Sequence, residues 1–491
     1  MQRLERYLAK TPPEKRKSEV IAQLAALDHL RYASPSVAQA IEDELIDQRS
    51  NLKLIASENY CSQAVQLAMG NWLTDKYAEG YVRHRFYAGC EHVDAIEDRA
   101  NQLVESLFGA EHAFVQPHSG ADANLIAFLA ILVCKIQVPF LEKLGKKGVD
   151  DLTKEEHEQL RQLMMNQKVL GMGLNSGGHL THGFRMNFSS KLFQALHYEV
   201  DPKTEQLDYD AIEKQAMDQK PLILLAGYSA YSRKIDFSRM RSIADKAGSV
   251  LMVDMAHFAG LVAGKAFEGN YEPVAFAHVV TSTTHKTLRG PRGGLILCTS
   301  EFAPFVDKGC PLGMGGPLPH VMAAKAVAFE EAHHPSFRNY ARSVVDNAKA
   351  LAEAFKKRGV RVVTGGTDNH LLVIDISSFG LTGRQGETAL RQSHITTSRN
   401  TIPYDKKGPW YTSGLRLGTP AMTTLGMGPA EMEEIADMIV DVLQHTEAAG
   451  TSGDGKSLSQ FILHPDVQER VTLKVFNLLK RFPLYPELIL D

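Results

Sequence analysis

The stretch VLMVDMAH at residues 250–257 decides the fold class of this chain. Its first four residues are apolar on both faces, and the run ends at the charged Asp254, which is typical of a parallel strand buried between two layers of helices. Similar runs occur at Ala113–Gln116, Lys168–Met172, Leu222–Ala226, His278–Ser282 and Gly293–Cys298. Helical patterns lie between them, at Asp122–Leu132, Tyr209–Gln219 and Phe237–Ala247. The sequence therefore predicts an α/β domain with a mostly parallel sheet.

Two regions stand apart from this α/β pattern. Residues 1–50 have apolar positions at helical spacing, with a break near Ser34, and predict a helical arm that packs on a partner subunit. Residues 135–166 are charged and contain a helix opened by Thr153 with Glu156 as its capping box, which predicts a surface insertion.

The C-terminal part predicts a second, α+β unit. Its predicted elements are a helix over 336–358, strands at Arg361–Thr364 and Leu371–Ile376, a helix over Arg384–Gln392, and two closing helices joined by a flexible run at 450–455. We therefore divide the chain into three parts. These are an N-terminal arm (1–70), a large domain (71–330) and a small C-terminal domain (331–491).

Composition narrows the class of protein. The 491 residues are 44% hydrophobic and 23% charged with a net charge of −3, which excludes a disordered chain and argues against a protein that coats nucleic acid or anionic membranes. The five cysteines form no CxxC pair, so we expect a reducing compartment. We find no secretory signal and no charge-free apolar stretch of about 18 residues. We expect a cytoplasmic protein without membrane or nucleic-acid partners.

Lys286 lies in the polar run Thr281–Thr287, directly after a predicted strand. A lysine in this position can be an ordinary solvated side chain, but burial would lower its pKa and make it a nucleophile. Asp254 ends another predicted strand, and such carboxyl ends face the crevice where α/β sheets bind ligands. Pyridoxal phosphate requires these two groups, an amine that forms a Schiff base and a carboxylate that pairs with its pyridinium nitrogen.

The loop QPHSGA at 116–121 joins the first predicted strand to a helix. Small residues at a helix start leave backbone N–H groups free for a phosphate, although a plain tight turn has the same composition. We assign phosphate contacts to Ser119 and Gly120. A carboxylate would repel a phosphate, so we expect the Asp122 side chain to face away.

A second glycine-rich loop, GGHLTHG at 177–183, contains two histidines. His179 and His182 could suggest a metal, but no third ligand has matching spacing, so we expect none. A flat imidazole stacked on a flat cofactor ring is the better use for His179.

Two further stretches have the composition of binding segments. Residues 76–89 are aromatic, charged and glycine-rich, which fits either a binding loop or a structural loop with aromatic anchors. Arg416 lies in the apolar run Ser413–Thr419. A buried arginine there would bind either a substrate carboxylate or an internal aspartate or glutamate.

Together these motifs resemble serine hydroxymethyltransferase, a pyridoxal-phosphate enzyme of fold type I. The matching motifs run in family order and are LIASENY (54–60), KYAEGY (76–81), QPHSG (116–120), GGHLTHG (177–183), VDMAH (253–257), TTHKTLRGPRGG (283–294), GGTDNHL (365–371) and SGLRLGT (413–419). The resemblance implies a mostly parallel seven-stranded sheet in a large domain, a smaller α+β C-terminal domain and an N-terminal helical arm.

The resemblance also implies a cofactor site. Lys286 would hold pyridoxal phosphate as an internal aldimine, with His285 beside it implicated in reaction specificity. Asp254 would pair with the pyridinium nitrogen, and His179 would stack on the ring. The other implied contacts are Ser229 and His257 at the phenolic oxygen, Ser119 and Gly120 at the phosphate, and Tyr77, Gly315 and Gly316 reaching the phosphate across a dimer interface.

Substrate contacts follow from the same resemblance. Arg416 and Ser57 would bind the amino-acid carboxylate, and Glu79 from the partner subunit and Tyr87 would lie at the serine side chain. The implied tetrahydrofolate contacts are Leu174, Gly178, Leu180, Asn400, Gly408, Pro409 and Trp410. The chain departs from the family pattern near the folate groove or the interface, at Phe86, Ser176, Met314, Ser398 and Arg399.

The implied reaction is the reversible interconversion of serine and glycine, with tetrahydrofolate and 5,10-methylenetetrahydrofolate as one-carbon carrier. It would proceed through an external aldimine and a glycine quinonoid, with Glu79 managing protons. We expect a homodimer or a tetramer of this cytoplasmic transferase of one-carbon metabolism and amino-acid biosynthesis, with folate-independent aldol cleavage and alanine racemisation as side activities. Two alternatives stay open: a folate-independent pyridoxal-phosphate enzyme, and a non-catalytic protein that keeps the fold.

Overall fold

The computed structural model describes residues 3–450 and 456–490. At its centre is a seven-stranded sheet, as predicted. The strands, numbered in chain order, are β1 (His112–Phe114), β2 (Lys168–Met172), β3 (Gln194–Tyr198), β4 (Ile223–Gly227), β5 (Val250–Asp254), β6 (Val279–Thr283) and β7 (Gly294–Cys298). Their order across the sheet is β1-β7-β6-β5-β4-β2-β3. All neighbours are parallel except the two that pair with β7.

The predicted strands are the fully buried ones. Every residue of β4, β5, β6 and β7 is buried, because helices cover both faces of the sheet. Such strands are mostly apolar in sequence, apart from the polar carboxyl ends of β5 and β6. The prediction missed β3, which forms one edge of the sheet. Its Gln194 and His197 are exposed and interrupt the apolar pattern.

Two hydrophobic clusters lie on opposite faces of this sheet. Alternate residues of β5 enter different clusters, since successive strand side chains point to opposite faces. Leu251 and Val253 belong to one cluster, and Val250 and Met252 to the other. The helices of this part of the chain are Gln63–Leu67, Glu91–Phe108, Gly120–Leu132, Val138–Lys143, Lys154–Met165, Ser189–Leu192, Tyr209–Gln219, Phe237–Ala247, Ala259–Ala263, Ala303–Val306 and Pro319–His333.

The predicted cofactor-binding residues Asp254 and Lys286 lie at the carboxyl ends of the sheet's strands. Asp254 is the last residue of β5 and pairs in register with Thr281 of the parallel neighbour β6. Lys286 follows the end of β6. The aspartate and the lysine therefore emerge side by side in the crevice where open α/β sheets bind ligands.

A second, four-stranded antiparallel sheet lies in the C-terminal part. Its strands, in spatial order, are Arg361–Val362, Leu371–Asp375, Gly414–Gly418 and Ser398–Asn400. The sequence analysis did not predict Gly414–Gly418 as a strand, because glycines and an arginine interrupt its apolar pattern. The helices of this part are Pro335–Lys357, Gly383–Gln392, Gly408–Tyr411, Pro420–Thr424, Pro429–Gln444 and Pro465–Arg481.

The two closing helices are confirmed, but their connection is not only a flexible run. Strands Thr446–Gly450 and Lys456–Leu463 pair as an antiparallel hairpin between the helices. Residues 451–455 of the predicted flexible run lie outside the described residues.

The segments on either side of the predicted large domain make contacts across the predicted boundaries. The short strand Leu52–Lys53 pairs with Ile395–Thr396, and Leu54 packs in the core of the small sheet. Helix Pro335–Lys357 contributes Phe337 to the core of the large sheet and Phe355 to that of the small one. The boundaries 1–70, 71–330 and 331–491 stay a prediction.

The N-terminal arm consists of helices Arg3–Lys10, Ser18–Ala33 and Pro35–Ser50, with the predicted break at Ser34. One face packs on the chain's own C-terminal tail, where Val20 and Leu24 contact Leu488. On the last of the three helices, Val37 and Ile41 are 51% and 45% exposed. An exposed apolar face of this kind fits an arm that covers a partner subunit.

The insertion begins within a helix. Residues 135–143 continue the helical segment from Gly120, and helix Lys154–Met165 follows. Its capping box is confirmed: the Thr153 hydroxyl accepts from the Glu156 N–H, and the Glu156 carboxylate accepts from the Thr153 N–H. Among the described residues, Gly120–Lys143 is the one helix long and apolar enough to cross a membrane. Half of its apolar window is buried, so it has the character of a core helix.

Candidate active site

Lys286 is held in a turn after β6. Its Nζ donates to Thr283 Oγ1 at 3.1 Å, and Asn59 Nδ2 donates to the Lys286 backbone carbonyl at 3.0 Å. Burial lowers the pKa of the amine to about 8, with Arg416 adding to the shift and Asp254 opposing it. At pH 7 about a tenth of such an amine is neutral, compared with less than about a thousandth at the ordinary lysine pKa. This lowered pKa agrees with the predicted role of Lys286 as a nucleophile.

The Asp254 carboxylate is buried among hydrogen-bonding partners. Oδ2 accepts from Asn124 Nδ2 at 2.9 Å and lies 3.2 Å from His182 Nε2, while Oδ1 accepts from the Ala256 N–H at 3.0 Å. Burial acts against the charge, but the His182 and Asn124 contacts hold the pKa of Asp254 well below its usual range. The carboxylate stays ionised, as pairing with a pyridinium nitrogen requires.

Asn124 and Thr281 align Asp254, and neither was predicted as a site residue. Thr281 Oγ1 donates to Asn124 Oδ1 at 2.6 Å, which turns the amide nitrogen of Asn124 toward the carboxylate. Both side chains are 1% exposed. The available signal was a polar residue inside an otherwise apolar helix or strand, because buried polar groups need partners.

His179 lies half-buried in the second glycine-rich loop. Its Nδ1 accepts from the Thr181 N–H at 3.2 Å and lies 2.8 Å from the Thr181 hydroxyl. Burial lowers the pKa of His179 to about 4, so the ring is neutral near pH 7. A neutral, flat imidazole fits the predicted stacking on a cofactor ring.

The fold brings a third potential metal ligand to the two histidines. Ligand atoms of His179, His182 and Asp254 lie within 4.8 Å of one another, so the fold supplies a candidate third ligand that sequence spacing did not indicate. Asp254 comes from β5, far away in sequence. Their hydrogen bonds to Thr181 and Asn124 and to one another already use these atoms, and we interpret the group as part of a cofactor site.

The first glycine-rich loop forms a helix N-terminus with little room for side chains. Ser119 is the N-cap of helix Gly120–Leu132. A Cβ at Gly120 would meet Thr283 Cγ2 at 2.6 Å, and one at Gly294 would meet the Ser119 carbonyl at 2.2 Å. Free backbone N–H groups and the helix dipole suit this end for a phosphate.

Asp122 does not face away from this loop, so that prediction was wrong. The Ser119 hydroxyl accepts from the Asp122 N–H at 3.1 Å and donates to its carboxylate at 3.0 Å. The physical reason is capping, because an N-cap serine and an acidic residue in the first turn satisfy each other's polar groups. A phosphate bound at Ser119 would have to compete with this carboxylate for the hydroxyl proton.

Three more predicted residues lie near the lysine. The Ser229 hydroxyl lies 3.2 Å from the Gly178 carbonyl, and His257 Nδ1 lies 3.2 Å from His370 Nε2. His285 is half-buried, and its Nδ1 is enclosed without a hydrogen bond. Burial lowers the pKa of His285 to about 3, so it is neutral near pH 7.

The contacts of Arg416 bear on its two predicted partners, a substrate carboxylate or an internal aspartate or glutamate. It lies on strand Gly414–Gly418, and its Nη1 donates to the Ser229 carbonyl at 2.7 Å. Nε is buried without a partner, and no carboxylate of residues 3–450 or 456–490 forms an ion pair with Arg416. Burial lowers its pKa to about 10. Within the described residues Arg416 therefore has no internal salt bridge, which leaves part of its guanidinium available to an external anion.

Ser57 is placed close to the Arg416 strand. The Gly418 N–H donates to the Leu54 carbonyl at 2.8 Å, and a Cβ at Gly418 would meet Ala56 Cα at 2.4 Å. The segment that contains Ser57 therefore packs directly on the end of this strand.

A second group of predicted residues lies around Glu79 and Gly316, whose carbonyl is 3.0 Å from His118 Nε2. Tyr87 Oη donates to Glu79 Oε2 at 2.9 Å, and a Cβ at Gly316 would meet the Tyr77 ring at 3.4 Å. Tyr77 and Tyr87 are 61% and 49% exposed. Across the described ranges, no hydrogen bond joins these side chains or Gly315 to Lys286 or Arg416.

The predicted folate contacts are mostly half-buried or exposed. Leu180 is 45% exposed and Leu174 is half-buried. Gly178 is packed so closely that a Cβ there would lie 2.0 Å from the Met172 carbonyl oxygen. Trp410, in helix Gly408–Tyr411, is 59% exposed and lies under two arginine side chains. The remaining predicted contacts, Asn400 and Pro409, are not fully buried.

Ser176 is not one of these exposed positions. Its hydroxyl contacts the Glu199 carboxylate and accepts from the Val200 N–H at 3.0 Å. The side chain is 6% exposed, so this departure from the family pattern faces the protein interior.

These features fit pyridoxal phosphate. A lysine with a lowered pKa and an ionised aspartate lie at the carboxyl ends of adjacent parallel strands, a neutral imidazole lies next to the aspartate, and a crowded helix N-terminus offers N–H groups. With the seven-stranded, mostly parallel sheet, they define a pyridoxal-phosphate enzyme of fold type I.

Known proteins identify the family within this class. The family model described as serine hydroxymethyltransferase matches residues 30–142 and 158–439. A serine hydroxymethyltransferase of Treponema pallidum is 57% identical over 485 residues, which cover 99% of this chain and 84% of the relative. That of Salinispora tropica is 56% identical over 96% of this chain and 98% of the relative, and that of Chlamydia trachomatis 54% over 99% of both. The chain belongs to the serine hydroxymethyltransferase family.

Proposed function

We propose that the chain is a glycine hydroxymethyltransferase, which interconverts serine and glycine with tetrahydrofolate as the one-carbon carrier. The observation that carries this proposal is Arg416, a buried cation without an acidic partner in the described chain, electrostatically coupled to the activated Lys286. A planar, bidentate donor beside a nucleophilic lysine suits an α-amino acid, whose carboxylate and amine lie one carbon apart.

Each residue of the lysine site has a proposed task. When bound, pyridoxal phosphate supplies an electron sink for the electron pair released at the substrate Cα. Lys286 would hold the cofactor covalently, and Asp254 would keep its ring nitrogen protonated. Arg416 and Ser57 would orient the substrate carboxylate. Ser119 and Gly120 would bind the cofactor phosphate at the helix N-terminus.

Glu79 is the proposed proton carrier at the serine hydroxyl. Its carboxylate accepts from Tyr87 Oη at 2.9 Å, which orients it. Since no hydrogen bond among the described residues joins this pair to Lys286 of its own chain, we propose that Glu79, with Tyr77 and the Gly315-Gly316 turn, completes the site of a partner subunit. The exposed apolar faces of the arm and of the segment around Trp72, which is 84% exposed, support an assembly of at least two chains.

We place this enzyme in the cytoplasm. All five cysteines are free, which agrees with the reducing compartment expected from their spacing. Two of them, Cys61 and Cys134, are only partly buried and would be open to oxidation elsewhere.

The activity is tested by serine cleavage with and without tetrahydrofolate, measured as glycine formed by the purified protein with added pyridoxal phosphate. We expect glycine formation from serine to depend on tetrahydrofolate, with slower folate-independent cleavage of β-hydroxy amino acids. Serine cleavage at the same rate without folate would support a folate-independent enzyme. No turnover of either substrate would support a non-catalytic protein.

Sharing of the site between subunits is tested by complementation. Glu79→Gln and Lys286→Met variants should each be inactive, yet unfolding and refolding them together should restore activity. With random assembly, about half of the dimers are heterodimers, and each heterodimer has one intact site out of two. We therefore expect about a quarter of the parent's activity. If Glu79 served its own chain, every site in the mixture would lack one residue and the mixture would stay inactive.

Phe86 is expected to weaken folate binding relative to family members with tyrosine. The ring is 68% exposed, next to Tyr87, and cannot donate a hydrogen bond. We expect Phe86→Tyr to tighten tetrahydrofolate binding about five-fold, because one hydrogen bond contributes about 1 kcal/mol. Titration of both proteins with folate measures the effect, with glycine affinity as the internal control. Equal folate affinities would show that no acceptor lies within reach of position 86.

A further inference from the structure

A buried histidine pair joins the two sheets beside the lysine. His257 follows the end of β5, and His370 precedes the strand Leu371–Asp375. Their side chains meet at 3.2 Å between His257 Nδ1 and His370 Nε2, with the residues 4% and 0% exposed. The motif GGTDNHL at 365–371, which contains His370, has no role in the mechanism described so far.

Both imidazoles are neutral near pH 7. Burial, with the nearby Lys286 and Arg416 charges, places the pKa of His257 well below its usual range, and burial lowers the pKa of His370 to about 3. Two neutral rings can place only one proton between the facing nitrogens. Either His370 donates to His257, or His257 donates to His370.

The outer nitrogen of His370 distinguishes the two arrangements. His370 Nδ1 is buried without a hydrogen-bond partner in the described chain. If His257 were the donor, the proton of His370 would lie on this Nδ1, as a buried N–H without an acceptor. Orphaned buried N–H groups are rarer in proteins than orphaned acceptors. The arrangement with a bare Nδ1, and therefore with the proton on Nε2, is favoured.

We propose that His370 is a positioning residue that donates from Nε2 to His257 Nδ1 and so fixes the tautomer of His257. The second nitrogen of His257, Nε2, then carries a proton. It has no hydrogen-bond partner among residues 3–450 and 456–490, which leaves this N–H free for a ligand. The inference rests on the proposed function in one respect, that the ligand is the phenolic oxygen of pyridoxal phosphate.

The neighbouring Ser229 makes this donor necessary. In this structure its hydroxyl is directed to the carbonyls of Gly177 and Gly178, at 3.4 and 3.2 Å. While that proton is engaged, Ser229 can only accept from a ligand. An ionised phenolic oxygen needs a donor, and His257 Nε2–H provides one.

Hydrogen bonds at His370 and at its neighbour Asn369 fix the position of this segment. The Thr419 N–H donates to the His370 carbonyl at 3.0 Å. On the other side, Asn369 Nδ2 donates to the Tyr231 carbonyl at 3.0 Å and to Tyr228 Oη at 3.1 Å. His370 therefore connects the position of the small sheet to the protonation of a cofactor-side group.

The direct test is the tautomer of His257 in the pyridoxal-phosphate-loaded protein, read from ¹⁵N chemical shifts of labelled histidines. The His257 signals are assigned by their loss in His257→Asn. We expect a protonated Nε2 and an unprotonated Nδ1 that accepts a hydrogen bond. A protonated Nδ1 in the parent protein would overturn the proposal, whatever the activity of the protein.

Two variants of His370 separate hydrogen bonding from packing. His370→Gln keeps an N–H donor at a similar reach, whereas His370→Leu keeps the volume without a donor. We expect Leu to weaken pyridoxal phosphate binding about 10-fold or more and Gln to weaken it less than about three-fold. Melting temperatures report the packing change. Equal affinity losses in the two variants, or none in either, would overturn the proposal.

Failure of this inference can be told apart from failure of the proposed function. If the parent protein does not bind pyridoxal phosphate or convert serine, the proposed function fails. If the parent protein binds pyridoxal phosphate and converts serine normally but carries the His257 proton on Nδ1, only the proposed role of His370 fails.

Discussion

Replacement of Lys286 by methionine is expected to abolish covalent attachment of pyridoxal phosphate and to lower serine turnover by at least roughly 10⁴-fold, the order of loss that follows removal of a covalent nucleophile. Methionine retains most of the stem volume, and Nζ makes a single hydrogen bond, to Thr283. The fold should therefore persist. Borohydride reduction of the parent followed by peptide mapping should find the cofactor on the peptide that contains Lys286 and nowhere else.

A matched control tests whether the lowered pKa alone marks the site. Lys234 also has a lowered pKa, because of partial burial, but it lies over the rings of Phe267 and Tyr271 and not at the carboxyl edge of the sheet. Lys234→Met should leave cofactor attachment and turnover unchanged. Reduced cofactor on Lys234 or another lysine, or full activity of Lys286→Met, would refute the assignment of the nucleophile.

Replacement of Arg416 by lysine is expected to weaken serine binding by roughly 10- to 150-fold, which corresponds to the loss of a charge-assisted hydrogen bond of about 1.5–3 kcal/mol. Lysine keeps the charge but cannot offer two parallel N–H donors to a carboxylate. The absorbance of the bound cofactor should stay normal, because Arg416 would contact the substrate and not the ring. Serine affinity is measured from the change in that absorbance as serine is added.

We also predict the melting temperature of the Arg416→Lys variant. Removing one member of a buried salt bridge costs several kcal/mol, because the other charge is left unpaired. Arg416 has no such partner in the described residues, so Arg416→Lys should melt close to the parent. Arg399→Lys, at an arginine that is paired with Glu387, is the control and should keep normal serine affinity. Unchanged serine affinity in Arg416→Lys would show that the carboxylate binds elsewhere.

Local sequence patterns predicted most of the large sheet because its strands are buried on both faces. Val250–Asp254 and Lys168–Met172 were predicted with their observed bounds, and helices Tyr209–Gln219 and Phe237–Ala247 likewise. The same rule explains the failures. Edge strand β3 and strand Gly414–Gly418 carry exposed, charged or glycine positions, so the apolar pattern is interrupted where hydrogen bonding to a neighbour strand still forms a sheet.

The candidate site divides in the same way. Lys286 and Asp254 could be found from the sequence, because each lies at or just after the end of a recognisable buried strand. A charged side chain at that position is a candidate ligand-binding group. The side chains that align them could not. Asn124, Thr281 and His370 are ordinary polar residues in their local sequence, and their roles follow from hydrogen bonds to partners on other elements.

The sequence by itself determined the α/β class, the cofactor chemistry and the family, since these depend on residue types in local order. Only the tertiary structure decided which charges are paired. Among the residues that the structure describes, it left Arg416 without an acidic partner, brought Asp254 to His179 and His182, and turned Asp122 toward Ser119. The physical reason is that burial and hydrogen-bond partners set the charge and the free donors of a side chain, and both depend on residues distant in the chain.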